Sequence, residues 1–340
     1  MLLNEFLLEL KILFKKKNYL YVKKCFLKKN LSNKVAIITG ANSGIGLQTA
    51  KQLYKQGATI VFACRDLRKA KIAIKNITKK KDERIDLIHL DLASLDSIKQ
   101  FTDIFKKKYD YLDILINNAG IVGVKKSYTK NGFELQFGVN YIGHFFLTNL
   151  LISSLKQSSD ARIINLTSIM HDVWHNPPHS PMIGQIFFDD INFEYREFNT
   201  YEAYSQSKLA LFLFTKHLAR LYQNTNIKTF VVNPGWVRTN SARYQIPFGL
   251  YKIFLWFMSA TSPWIGSQPI LYCILEDKTK IISGDYYSAI NIKYKHSDGQ
   301  PGGWPMTSPS NTANDPDIAE KLWKLSERLI KQSISDNQDA

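Results

Sequence analysis

The chain has 340 residues, is 45% hydrophobic, and carries 45 Lys and Arg against 29 Asp and Glu, a formal net charge of +16. That allows one substantial core in a single α/β domain and leaves no comfortable room for two. The positive charge comes with no nucleic-acid recognition motif, and Cys25, Cys64 and Cys273, odd in number and far apart, exclude a disulfide framework and fit a reducing cytosol.

Residues 1–33 form an amphipathic basic head. Apolar side chains at 3, 6, 7, 10, 13 and 14 follow helical periodicity. Glu5, Glu9 and Lys11 interrupt the run, which is shorter than the ~20 apolar residues of a spanning helix. Its lysines follow the apolar residues, the reverse of a signal peptide. Residues 1–34 hold nine lysines against Glu5 and Glu9, so +7 of the +16 lies there. One reading is an interfacial helix with a polybasic stretch through Lys29, in peripheral contact with a membrane. The other is a solvated tail, or a helix packed on the protein itself or on a second subunit of a homodimer.

Residues 34–335 read as one Rossmann-type domain. Apolar runs at 35–39, 58–63, 84–90, 112–116, 161–167 and 227–232 alternate with helical stretches, the first at 44–56. Such alternation predicts a parallel sheet covered on both faces. Residues 246–275 form a second apolar stretch, broken by Pro247 and Pro263, and are expected to make a substrate lid. A last helix is predicted from Pro316 to Lys331 with Asp315 as its cap. Sequons stand at Asn30, Asn76 and Asn165, the last within an expected core strand.

The first strand runs into Thr39-Gly40-Ala41-Asn42-Ser43-Gly44-Ile45-Gly46. Glycines here let the backbone approach a pyrophosphate, with the amides of the following helix aimed at it. Tyr204 and Lys208 are i and i+4 on a predicted helix and share a face. An ammonium beside a phenol favours phenolate and is expected to lower the tyrosine pKa from its ordinary ~10. Arg65 follows the second strand; it either meets a phosphate or pairs with Asp66 or another surface acid. His171, His175 and His179 have metal-like spacing, but Pro177, Pro178 and Pro181 argue against the helix it needs, so a loop without metal is expected.

These motifs together resemble the short-chain dehydrogenase/reductase superfamily over residues 34–332. TGANSGIG is similar to its cofactor loop; Asn117-Asn118-Ala119-Gly120, Asn140, Ser168, the Tyr204-x-x-x-Lys208 element and Asn233-Pro234-Gly235 follow in family order. ACRD at 63–66, GHF at 143–145, YSQSKLA at 204–210, SGDYY at 283–287 and LWKLSERLI at 322–330 resemble the branch of the retinol dehydrogenases and the WW-domain-containing oxidoreductase. So does the long insertion, 169–203, between Ser168 and Tyr204. This sequence has no WW domains, and its head lacks the frankly apolar anchor typical of a retinol dehydrogenase.

The resemblance implies a doubly wound parallel sheet of strand order 3-2-1-4-5-6-7 with helices on both faces. It implies an oxidoreductase moving a hydride between a nicotinamide and an alcohol or carbonyl. Tyr204 is then the general acid or base, Ser168 binds the substrate oxygen, Lys208 holds the nicotinamide ribose, and Asn140 holds a relay water. Gly40, Asn42, Ser43, Gly44, Ile45, Gly46, Asp91, Asn118, Ala119, Gly120, Pro234, Gly235, Val237 and Thr239 line the cofactor site with Tyr204 and Lys208. The family's usual acid for an NAD ribose is replaced by neutral Cys64, and Arg65 follows, the pattern expected for NADP(H) rather than NAD(H). The lid suggests a lipophilic substrate, such as a retinoid, steroid, polyprenol or lipid aldehyde. The expected location is the cytosolic face of a membrane, endoplasmic reticulum or lipid droplet, or otherwise the cytoplasm. The rival is a non-catalytic Rossmann-type scaffold, against which intact Tyr204, Lys208, Ser168 and Asn140 speak.

Overall fold

The computed structural model describes residues 24–172, 184–235, 237–239, 261–289, 303–306 and 310–336. The helix expected over 2–14, His175, His179 and residues 246–260 of the expected lid lie outside them.

The strands are β1 (Val35–Thr39), β2 (Thr59–Cys64), β3 (Ile85–His89), β4 (Ile114–Asn117), β5 (Ala161–Leu166), β6 (Ile227–Asn233) and β7 (Tyr286–Ser288). They pair in parallel in the order 3-2-1-4-5-6-7, as expected. An eighth strand, β8 (Gly303–Met306), was not foreseen; it adds antiparallel to β7. Its sequence Gly-Trp-Pro-Met reads as a turn, and Pro305 is tolerated because β8 is an outer edge.

The longer helices among the described residues are α1 (Gly44–Lys55), α2 (Leu67–Lys75), α3 (Leu95–Lys108), α4 (Gly143–Lys156), α5 (Thr200–Leu221), α6 (Gln268–Leu275) and α7 (Pro316–Asp336). Strand residues alternate between two cores. Ile37, Val61, Leu115, Ile163 and Val231 pack with α3, α4, α5 and α7. Ala36, Ile38, Ile60, Phe62, Ile164 and Val232 pack with α1, Ala70 of α2 and α6. A two-residue period explains both sets, since a strand buried on both faces must be apolar throughout.

The end of the apolar stretch 246–275 is α6, an inner helix whose Ile270, Leu271, Cys273 and Ile274 lie in the core. Buried Arg162 fixes the end of α6 by donating to the carbonyls of Cys273, Ile274 and Glu276 at 2.8–2.9 Å, while Asp160 neutralises it at 2.7 Å. The Asp315 carboxylate accepts from the amides of Asp317 and Ile318 and caps α7, as expected. No helix among the described residues is long and apolar enough to cross a membrane.

Candidate active site

The parallel strands bring β1, β4, β5 and β6 to a common carboxyl edge, and each supplies a loop. At the end of β1, Gly40 turns the chain with φ +65°. A Cβ on Gly46 would lie 2.6 Å from Asn118 Nδ2 and 2.9 Å from the Gly40 carbonyl, so only glycine fits. Ser43 precedes α1 in extended conformation with no side-chain cap, and no acid occupies the first turn. The helix amides beyond Ala41, Asn42 and Ser43 therefore suit an anion, and the close-packed glycines suit an extended phosphate group: the residues fit a dinucleotide.

The Asn118-Ala119-Gly120 loop is held against this turn. Thr39 Oγ1 accepts from the Asn118 and Ala119 amides, both at 2.9 Å, and Asn118 Nδ2 donates to the Thr39 carbonyl at 2.7 Å. A methyl on Gly120 would come within 3.3 Å of Asn140 Oδ1 and 3.5 Å of Lys208 Nζ, so this loop borders the polar cluster directly. Beyond β6, Gly235 donates to Asn233, Val237 bridges Thr261, and Thr239 lies against Gly44. Ile45 and Val237 both close on Gly266. Val237 and Thr239 thus lie close to the glycine-rich loop and the start of α1.

On the side of β2, Cys64 is buried, and its thiol takes hydrogen bonds from the backbone of Asn42 and Ala41; burial pushes its pKa up to about 11. The position that would carry an acid is therefore a neutral group tied to the loop. Asp66 caps α2 and pairs with Lys69 at 3.0 Å. Arg65 is exposed beside the loop. Asp91 follows β3 and accepts from the Ala93 amide.

Ser168 follows β5, and Tyr204 and Lys208 lie on α5. The insertion anchors the first turns of α5: Gly184 donates to Ser205 Oγ and Phe187 to Gln206 Oε1, while Gln206 donates back to the Ile191 carbonyl. Arg196 is sandwiched between Phe187 and Phe193 at 3.6 and 3.7 Å and pairs with Asp190 and Glu202. None of these anchors was singled out from the sequence, because backbone groups leave no residue signature and the rings and carboxylates around Arg196 meet it only once the insertion folds back on itself.

Tyr204 keeps some exposed surface, yet burial of its hydroxyl pushes the pKa up to about 12, opposed by a hydrogen bond with Ser168. Lys208 is buried, and burial pushes its ammonium down to about 8. Its Nζ lies 5.7 Å from the Tyr204 ring centre and donates to the Leu166 carbonyl at 2.8 Å. The expected lowering of Tyr204 by Lys208 is not found: desolvation is the largest influence on the phenol and raises its pKa, and what opposes it is Ser168.

Asn140 sits in a π-turn, Gly138–Ile142, that leads into α4. Its side chain accepts from the Ile121 amide at 2.9 Å and donates to the Ile121 carbonyl and Ser207 Oγ, both at 3.0 Å. Those contacts engage the amide with protein groups. His144, fully buried one turn on, joins the Asn140 carbonyl to Thr39. His171 donates from Nδ1 to the Ser168 carbonyl and stacks on Phe212.

The short chain dehydrogenase family model matches residues 34–175. The chain is 38% identical over 322 residues to human retinol dehydrogenase 13, covering 92% of this chain and 89% of that one. It is 36% identical over 308 residues to mouse retinol dehydrogenase 12, covering 90% and 89%. Among solved structures it is similar to an uncharacterised protein from Mycobacterium paratuberculosis, with a TM-score of 0.69 and 31% identity over 90% of this chain and 96% of that one.

Proposed function

The chain belongs to the short chain dehydrogenase family, in its retinol dehydrogenase-like branch, and on that premise we propose that it reduces lipophilic carbonyl compounds, or oxidises the matching alcohols, with NADP(H). The observation that carries this reading is the Ser168 hydroxyl close enough to act on the Tyr204 phenol, beside buried Lys208. Bound NADPH would supply the hydride.

The chain's own residues handle the oxygen and its proton. The Ser168 hydroxyl donates to the substrate oxygen as negative charge develops there. Tyr204 gives that oxygen its proton. A phenol pushed up to about 12 is protonated at neutral pH, which suits proton donation to a carbonyl oxygen. Lys208, pushed down to about 8, yields a proton more readily than an ordinary lysine and can restore the phenol. Asn140 and the Asn118–Gly120 loop hold the floor on which the nicotinamide ribose would rest.

Arg65 is the residue assigned to a 2′-phosphate, and Asp91 to the adenine. The substrate class rests on the relatives' being retinol dehydrogenases, and includes retinoids, steroids, polyprenols and lipid aldehydes. Peripheral attachment to the cytosolic face of the endoplasmic reticulum or a lipid droplet belongs to the same reading. Phe26, 83% exposed, and Leu27 stand between Lys24 and Lys28, continuing the apolar and basic pattern of the head.

Purified protein assayed for NADPH oxidation against lipophilic aldehydes and ketones tests the reading. Turnover that is lost in Tyr204→Phe supports it. Tight NADPH binding without turnover of any carbonyl would replace it with the scaffold.

A further inference from the structure

His144 lies wholly inside the protein at the start of α4, between the cofactor side of the site and the catalytic side. Its Nδ1 is 2.9 Å from the Asn140 carbonyl and its Nε2 is 3.0 Å from Thr39 Oγ1. A carbonyl can only accept, so Nδ1 carries the proton. Thr39 Oγ1 already accepts two amide protons, from Asn118 and Ala119. Its own proton therefore goes to Nε2, the better placed of its two acceptors, since the Ile116 carbonyl is at 3.3 Å. The neutral ring satisfies both ends at once. Burial holds it neutral, with a pKa pushed down to about 4, and the charge of Lys208 acts in the same direction.

The hydrogen bonds then run in one direction through the site. The Asn118 and Ala119 amides donate to Thr39, Thr39 to His144, and His144 to the Asn140 carbonyl. The Asn140 amide donates to Ser207 Oγ, and Ser207 to the Tyr204 carbonyl at 2.7 Å. We propose that His144 is a positioning residue that locks the loop bordering the cofactor and the helix carrying Tyr204 and Lys208 into one register, as the Nδ1–H tautomer. It touches no reacting atom and acts through Thr39 and Asn140. The π-turn leads directly into α4, which places the Asn140 carbonyl one turn before His144, within reach of its ring.

Rings and apolar groups of similar size can fill the space of His144 but not both of its polar roles. An asparagine there can still donate to the carbonyl four residues back, as Asn149 does to Phe145 at 2.9 Å, but it is too short to reach Thr39 as well. The proposal rests on the enzymatic reading above for its kinetic arm alone. In that arm His144→Phe and Thr39→Val should each lower kcat for carbonyl reduction about tenfold or more, with carbonyl KM changed less than about threefold. The double variant should be no slower than the slower single one, because both break the same link. Thr39→Ser, which keeps the hydroxyl, should restore most of the rate. Folded His144→Phe with wild-type kcat, or effects of the two changes that simply multiply, would overturn the proposal.

The second arm needs no activity and no phenylalanine variant that folds. In 15N spectra of histidine-labelled wild-type protein, the ring absent from His144→Asn should show a protonated Nδ1 and an unprotonated Nε2, unchanged from pH 5.5 to 8. A proton on Nε2, or titration in that range, would overturn the proposal even in a fully active enzyme. Correct tautomer with no carbonyl turnover in the wild type would instead sink the enzymatic reading and leave the hydrogen-bond link standing.

Discussion

Lys208 donates from Nζ to the carbonyl of Leu166 at 2.8 Å, tying α5 to the end of β5 two residues before Ser168. This bond holds the ammonium of one element against the strand that delivers the hydroxyl of another. It also explains how so buried a lysine is tolerated: one donor is satisfied by a carbonyl, while desolvation still pulls its pKa to about 8.

Tyr204→Phe removes the proton donor and nothing else from the cleft. Carbonyl reduction should fall by about 10²–10⁴-fold. NADPH affinity, read by fluorescence titration, should stay within about threefold of wild type, whereas Lys208→Ala should weaken both. Comparable turnover in wild type and Tyr204→Phe with a reactive aldehyde would remove Tyr204 from the mechanism.

The depressed Lys208 pKa has a consequence for stability. Unfolded, this lysine holds its proton up to about 10.4; folded, it releases it near 8. Between those values the unfolded chain binds more protons, so this group makes stability rise with pH over the window from about 8 to 10.4. Below it the charged, buried lysine is a burden of roughly 3 kcal/mol. Lys208→Met should therefore melt higher than wild type at pH 7, with the gap narrowing as pH rises towards 10. A gap independent of pH would contradict this.

Arg65→Ala should erase most of a preference for NADPH over NADH. A charge-assisted contact of about 1.5–3 kcal/mol corresponds to one to two orders of magnitude in affinity. Dissociation constants for both dinucleotides, measured on wild type and variant, decide the matter. Equal values in the wild type would rule out the assignment.

Gly46→Ala should abolish dinucleotide binding. Its Cβ would press on Asn118 Nδ2 at 2.6 Å and on the Gly40 carbonyl at 2.9 Å, and the carbonyl belongs to the tight turn itself. Overpacking of this kind costs typically about 1–3 kcal/mol, so the melting temperature should also drop. An unchanged NADPH affinity would show that the turn can yield.

Membrane attachment is tested by flotation on anionic liposomes at low salt. Leu31 is buried and the Cys25 amide donates to Gln268, so the truncated form should begin at Lys24 to leave the body intact. Full-length protein should float and release with salt; the truncated form should float less, and less again with Phe26→Glu. Equal flotation of all three, or of none, would end the idea.

Much of this protein was legible in the sequence alone. The parallel sheet was readable because strands buried on both faces must be continuously apolar, and the order of β1 to β7 could be inferred from family resemblance. The glycine-rich turn, Ser168, Tyr204 and Lys208 were legible because helix and turn geometry is local: a spacing of four puts two side chains on one face in any fold. Residues acting through distant partners were not legible. His144 lies 105 positions from Thr39, and Arg162 caps a helix 111 positions away. Nothing in local spacing records such pairings. The pKa of Tyr204 belongs with them: from spacing alone the lysine should lower it, but how far two side chains are desolvated, and how far apart they come to rest, is decided only when the sheet, α5 and the insertion close around them.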